Sequence, residues 1–587
     1  LNFHTLPTKS GVFSIISLNL AFNRKHKTLY LYEISIFIVD QSKLILKNYL
    51  FSSFMKKIFF LFLFSQLYIQ CKSVEEHNEH LNDLIAESRL KQDVDFTYEK
   101  LQRLHPKLNW YISKKELDFK FDSLKNTITK PMTSFEFYKK LSPVVASIRQ
   151  GHLIVSPASK ILSKSEQKAM KDKGAGPFSQ FEFEFIDDKM YVIKNKSDEN
   201  SIKPGAELIA INNKKTSELI AEYNSLFTSD GYNKTFKRKR MPNMFPAFYA
   251  YENDIQDNLF FSFKQNDSIE VLCIKRKKES PLKNKKSAVK MSMIAPGDNQ
   301  IITSKRDKNT YGYDETTKRN NRNLKFIEED NSVALLKIRH FAIGNPSRFY
   351  KESFKKMQLN NTKVLIIDLR DNSGGSISDV ENLYSYLADT TYVFTDPFQV
   401  VSKNTLIKKT PFSDSPFLAK ILIAPFYTPY TFFKIHKKED GNYYASTSTS
   451  KPKSINKNAF KGKIYVMING GTFSASSIIS ANLKGSNRAT FVGEETGGAY
   501  NGTVAGVMPT IKLPNSEIKI KIGLMVVAPF YKTPVEGRGI FPDKEIVHTL
   551  PDLINREDLE LEWILNDIKK NSKILNKNEN NKNITLK

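Results

Sequence analysis

Two segments in the C-terminal half carry glycine and hydroxyl residues where apolar runs end. TKVLIIDLR (362–370) leads into DNSGGS, and GKIYVMI (462–468) leads into NGGTFSASSIISANLKG. Chain leaving a buried strand through Gly374-Gly375 can turn its N–H groups toward one point, because glycine tolerates positive φ and close approach. Such a loop suits an oxyanion hole, where two donors meet the charge of a tetrahedral intermediate. Ser474 follows the second strand at the start of a helix, where the dipole and the free N–H of Ala475 favour negative charge. A hydroxyl at that place also serves as an N-cap, and taken alone Ser474 would be a cap more often than a nucleophile. The chemistry these residues offer is acyl transfer at Ser474, with Gly374, Gly375 and Ala475 around the oxyanion.

Other chemistries find little support. Cys71 and Cys273 are the only two cysteines, which rules out a disulfide framework. Neither belongs to a CxxC pair and the nine His form no HExxH, so no metal is expected. There is no Gly-rich phosphate loop, and no cofactor is expected. The net charge of +27 invites a nucleic-acid reading. The basic residues are mostly lysines spread through helices and loops, without zinc-ligand spacing or an aromatic RNA-binding signature. Compositional bias explains them better, and no nucleic-acid partner is expected.

The elements that must position these residues follow from periodicity. Residues 75–160 read as an N-terminal helical region, with DVDFTYEKLQRLHPKL and SFEFYKKLSPVVASI apolar at three- and four-residue spacing. Ser113 and Thr133-Ser134 mark helix starts. Residues 178–275 read as strands: FEFEFIDDKMYVIKN alternates around an Asp-Asp turn. IKPGAELIAINNKKTSEL resembles the second half of a PDZ domain. Residues 276–325 are polar, basic and without period, and read as a linker. From 326 to 570 strands VALLKIRHF, TKVLIIDLR and GKIYVMI alternate with helices SRFYKESFKKMQ, SDVENLYSYLA and SASSIISANLKG. That alternation predicts an α/β domain with a buried, mostly parallel sheet. Residues 400–460 read as an insertion, whose apolar ILIAPFYTPYTFF is too short to span a membrane. Residues 571–587 form a polar tail.

NGGTFSASSIISANLKGSNRATFVGEETGG resembles the nucleophile segment of the tail-specific and tricorn-core serine peptidases. DLRDNSGG resembles their upstream oxyanion segment, and EGRGIFPD (536–543) their C-terminal signature. The resemblance implies a crotonase-like core of β-β-α units, with a PDZ-like module, and Ser474 as nucleophile. One variant of the family uses a Lys in an FGKG motif. Here GEETGGAYNG has Gly498-Ala499 where that Gly-Lys would stand, so the Lys base is missing. The other variant uses a His from the helical region and a Glu from the C-terminal signature. ASIRQGHLIV supplies His152 and EGRG supplies Glu536. In that reading His152 takes the Ser474 proton, titrating near neutral pH, and Glu536 fixes the imidazole tautomer, directly or through another polar group. Tricorn-core enzymes carry a Ser just before the His, where Gly151 stands here. Ser476, Ser477, His105, His340, Glu494 and Glu495 are the rivals for these roles.

Met55 opens MKKIFFLFLFSQLYIQCKS, two lysines ahead of an uninterrupted apolar stretch, which reads as a signal peptide over 55–73. Residues 1–54 show no sustained period and read as an upstream start assigned too early. The expectation is an exported protein of the periplasm, cell envelope or exterior, soluble or lipid-anchored at Cys71, acting on peptide or protein substrates. The alternative is a catalytically inactive relative that binds peptides or hydrophobic ligands.

Overall fold

The computed structural model describes residues 74–278, 304–403 and 434–571. The signal and upstream segments, residues 279–303 of the basic stretch, the ILIAPFYTPYTFF run and residues 572–587 lie outside the described residues. Among the described residues no helix is long and apolar enough to cross a membrane.

The N-terminal helices form where the spacing predicts them: Glu87–Leu104, Lys114–Asn126 and Ser134–Ala146. The Ser113 hydroxyl accepts from the Glu116 N–H, and Thr133 with Glu136 makes a reciprocal capping box. Leu90, Val94, Leu101, Phe137 and Leu141 from these helices are fully buried.

FEFEFIDDKMYVIKN forms the antiparallel strands Phe181–Ile186 and Lys189–Asn195. Asp187 and Asp188 both take positive φ, 47° and 59°, as a two-residue hairpin matched to strand twist requires. Glu207–Ile211, Asn258–Gln265 and Ser268–Lys275 continue this sheet, and Phe181–Ile186 is left at its edge. Helix Thr235–Asn253 packs against that edge strand.

The last domain is built on a six-stranded sheet. Its order is Arg322–Phe326, Val333–Ile338, Val364–Asp368, Lys463–Ile468, Thr490–Gly493 and Lys544–Glu545. Every neighbouring pair is parallel except the first. Both faces are covered, so the strands are mainly apolar, as VALL, VLII and IYVMI show. Beyond the strand ending at Asp368, the Arg370 guanidinium bonds Asp368, Asp558 and Glu560 and ties the C-terminal helix to the sheet. The expected insertion, 400–460, starts at a strand and holds two more among its described residues. Phe398–Val400, Ile435–Lys437 and Tyr443–Ala445 join Met525–Val527 and Thr503–Ala505 in a five-stranded sheet.

The helical region and the last domain are one packed unit rather than neighbours on a linker. Strand Ile154–Ser156 pairs antiparallel with Lys519–Lys521, in the register Ile154 to Lys521 and Val155 to Ile520. Buried Asp93 accepts the backbone N–H groups of Asn515 (3.1 Å) and Ser516 (2.7 Å) and the Ser516 hydroxyl (2.6 Å). One apolar core runs through all three regions, from Leu90 through Ile211 to Ile540. Docking this early strand onto a late hairpin carries the residues just before it, His152 among them, into the last domain.

Candidate active site

Ser474 stands between strand Lys463–Ile468 and helix Ala475–Gly485. Its backbone has φ 57° and ψ −125°, a conformation that costs a non-glycine residue on the order of 1–3 kcal/mol. A sharp strand-to-helix turn of this kind lifts a hydroxyl out of the helix end and presents it to one side. The Ser474 side chain makes no capping bond, so the N-cap alternative left open by the sequence does not hold. Instead its Oγ lies 3.0 Å from Nε2 of His152. The imidazole stacks on Phe473, with ring centroids 4.7 Å apart.

The glycine loop after Asp368 closes over the same turn. Phe473 N–H donates to the Asn372 carbonyl at 3.0 Å, which ties the two loops together. A Cβ on Gly374 would sit 2.7 Å from the Ser474 Cβ and 2.8 Å from the Ala475 nitrogen, so only glycine leaves space in front of the hydroxyl. The Gly374 N–H, however, donates to Asn372 Oδ1 at 2.9 Å. That corrects the expected donor set: Gly374 supplies room, and its N–H is already spent. The N–H groups of Gly375 and Ala475 have no acceptor among the described residues.

Glu536 is not brought to the imidazole. It is exposed, and it accepts from Trp110 Nε1 (3.2 Å) and Asn501 Nδ2 (3.0 Å). The second ring nitrogen of His152 lies 3.0 Å from Thr503 Oγ1. Thr503 in turn donates to Asp230 Oδ1 at 3.1 Å, and Asp230 is fully buried. The Gly151 N–H donates to the same oxygen at 2.8 Å. The backbone N–H of Ala499, standing where the Lys variant would carry its base, lies near enough to favour the Asp230 anion. A side chain at residue 151 would collide with Phe473, whose ring lies 2.7 Å from an ideal Cβ there. No hydroxyl stands just before His152, and Thr503 brings one to the imidazole from strand Thr503–Ala505.

Burial sets the titration of both groups. It pushes the His152 imidazole down to about 4, with the charge of Lys521 acting the same way. The sequence expectation of a group titrating near neutrality is corrected accordingly: the ring is neutral across the physiological range. Burial pushes the Asp230 carboxyl up to about 6, against the hydrogen bonds from Gly151, Thr503 and Ala499 that favour its anion.

The rivals are absorbed elsewhere. Ser477 donates to the Thr472 carbonyl, and Ser476 is buried in the helix body. His105 is a buried helix C-cap held by its backbone. His340 lies exposed beyond the end of its strand, 3.2 Å from the Ser373 hydroxyl. Glu494 pairs with Arg238, and Glu495 with Arg538. Lys484 pairs with Asp543.

Sequence reasoning missed Thr503 and Asp230. In the sequence Asp230 belongs to TSDGYN, which reads as a turn, and Thr503 is an unmarked strand residue. One signal lay in the motif it did recognise. Tyr232 N–H donates to the Gly537 carbonyl at 2.7 Å, and a Cβ on Gly231 would lie 2.3 Å from the Gly537 Cα. The EGRG segment thus serves as a brace against the loop that carries Asp230.

A cavity of about 780 Å³ opens beside these loops, between the edge strand Phe181–Ile186, helix Thr235–Asn253 and the residues His340, Ser373 and Gly471. Lys239, Arg240, Glu182 and Glu184 line it, with Lys239 paired to Glu184 at 3.6 Å.

Residues 332–546 match the model of peptidase family S41. No curated protein matches the sequence. Among solved structures, mature CPAF complexed with lactacystin aligns with a TM-score of 0.55 at 15% identity, covering 84% of this chain and 99% of that one. Mature CPAF alone gives 0.51 at 13% identity, covering 80% and 94%. These likenesses support a shared fold. The photosystem II D1 C-terminal processing protease aligns more loosely, with a TM-score of 0.34 at 12% identity over 79% of this chain and 96% of that one.

Proposed function

We propose that this chain, a serine peptidase whose residues 332–546 belong to family S41, hydrolyses peptide bonds with Ser474 as nucleophile and His152 as general base. The observation that carries this reading is the 3.0 Å approach of His152 Nε2 to Ser474 Oγ. A neutral imidazole at that distance takes the hydroxyl proton as the oxygen attacks the scissile carbonyl, then returns it to the leaving amine. The tetrahedral oxygen is stabilised by the N–H groups of Ala475 and Gly375, the first at the positive end of a helix. Neither group has an acceptor among the described residues, so each is available without breaking a bond.

Substrates are peptides or proteins, and the cavity beside Ser373 is where we expect the chain to lie. The edge strand Phe181–Ile186 along its wall suits extended backbone. The reading of a crotonase-like core with a PDZ-like module remains a proposal, supported by the βαβ order and by the Asp187-Asp188 hairpin together with a second at Asn212-Asn213, both at positive φ. Export is also proposed, from Lys56-Lys57 and the apolar run after them.

The test is labelling with a fluorophosphonate probe alongside hydrolysis of an unstructured protein substrate. Labelling at Ser474 that is lost in Ser474→Ala, together with lost hydrolysis, is the expected result. An intact protein that neither labels nor cleaves is instead the inactive binding relative.

A further inference from the structure

We infer that Thr503 and Asp230 form the positioning pair of this active site, with buried Asp230 acting through the Thr503 hydroxyl in the place expected for Glu536. The inference rests on the Ser474–His152 reading and deepens it.

The argument turns on one proton. Thr503 has a single hydroxyl hydrogen, and Asp230 Oδ1 is an acceptor while the carboxylate is ionised. With that hydrogen given to Asp230 at 3.1 Å, the oxygen can only accept from His152 Nδ1 at 3.0 Å. Nδ1 must then carry the ring hydrogen, and Nε2 is left as the bare acceptor that faces Ser474. When the ring gains the Ser474 proton, its charge is met by the oriented hydroxyl dipole and the carboxylate behind it. The Gly151 N–H holds Asp230 Oδ1 in place. No comparable path leaves Glu536, whose partners are Trp110 and Asn501.

The same chain of bonds works in reverse when Asp230 is protonated. Its second oxygen, Oδ2, is buried without a hydrogen-bond partner among the described residues, which makes it the natural seat for the proton. A neutral Asp230 accepts weakly, so the Thr503 hydrogen is freed to turn toward Nδ1, and the ring then presents Nε2–H to Ser474. Protonation of Asp230 therefore switches the base off while the imidazole is still neutral. The other charged and titratable groups around it are Tyr111, pushed up by burial and then by the charges of Asp230 and Glu536, Tyr232 with Arg149 lying over its ring at 4.6 Å, and Lys521, whose charge acts on His152.

The experiment is a set of steady-state pH profiles on the full chain, for wild type, Thr503→Val, Thr503→Ser, Asp230→Asn and Glu536→Gln. Wild type should lose kcat/KM as pH falls through about 6, where Asp230 titrates. Thr503→Val is close to isosteric and removes only the hydroxyl. It should lower kcat by more than about tenfold, up to the ~10⁴-fold that loss of a direct orienter costs, with KM little changed. Thr503→Ser should recover most of that loss. Asp230→Asn should lower kcat and move the acid limb down toward the imidazole value near 4. Wild-type kcat and an unmoved limb in Thr503→Val would overturn the inference, as would a kcat loss in Glu536→Gln larger than in both. Ser474→Ala separates the two levels: if it still hydrolyses substrate, the nucleophile reading has failed as well. If it is dead while Thr503→Val is normal, only the positioning pair has failed.

Discussion

His152 Nε2 and Ser474 Oγ lie 3.0 Å apart, although 322 residues of chain separate them. The strand that follows His152 pairs with Lys519–Lys521, and the loop just before it is bonded to Asp230. The site therefore depends on tertiary contacts made before any substrate arrives.

Removing either member of that pair should abolish turnover and spare the fold. Ser474→Ala deletes one oxygen and relieves no packing. His152→Ala removes the base and should reduce kcat by orders of magnitude, with the probe no longer reacting at Ser474. Lys484→Ala, which only frees Asp543 on the surface, should stay near wild type. Hydrolysis of a fluorogenic peptide, with circular dichroism as the fold control, checks all three.

Gly374→Ala tests the space in front of the nucleophile. The added Cβ meets Ser474 Cβ and the Ala475 nitrogen at under 3 Å, and φ at this position is 97°. Activity should fall by at least ~10²-fold, the scale of losing one oxyanion donor, because the methyl occupies the oxyanion's place. Thermal stability should fall too, since the Cβ meets backbone atoms at a left-handed φ, so activity is read on protein that circular dichroism shows to be folded. A variant with near-normal kcat would remove this loop from the site.

Asp230→Asn should make the protein more stable at neutral pH while harming catalysis. The folded-state carboxyl is raised to about 6 from its usual value near 3.8, so the folded chain holds the proton more tightly than the unfolded chain does. That contribution is fully present below pH 4 and is lost as pH rises through 6. At pH 8 the ionised carboxylate then costs about 3 kcal/mol, which the asparagine avoids. Urea unfolding of both proteins at pH 4 and pH 8 checks it, with the difference expected only at the higher pH.

Arg370→Ala should destabilise the fold without touching the chemistry directly. The guanidinium answers Asp368 and Glu560, both of which are buried. Leaving those carboxylates behind costs about 3–5 kcal/mol, visible in the denaturation midpoint.

How much of this was legible in the sequence depends on how local each feature is. The capped helices, the Asp187-Asp188 hairpin and the buried parallel strands follow from spacing and turn residues close together in the chain. Ser474 and the glycine loop were legible for the same reason, because a strand end, a turn and a helix start are all local. His152 and Glu536 came from resemblance to a family, and the structure brought only His152 to Ser474. What the tertiary structure decided was the company the imidazole keeps. Glu536 ended exposed between Trp110 and Asn501, while Asp230, from an ordinary Asp-Gly turn, was sealed behind Thr503. The pairing of Ile154–Ser156 with Lys519–Lys521 and the bracing of Gly231 against Gly537 make that choice. Both join segments hundreds of residues apart, and residue type and spacing carry no record of such contacts. The same holds for the titration of His152, because an imidazole's pKa is set by what surrounds it and only the folded chain supplies the surroundings.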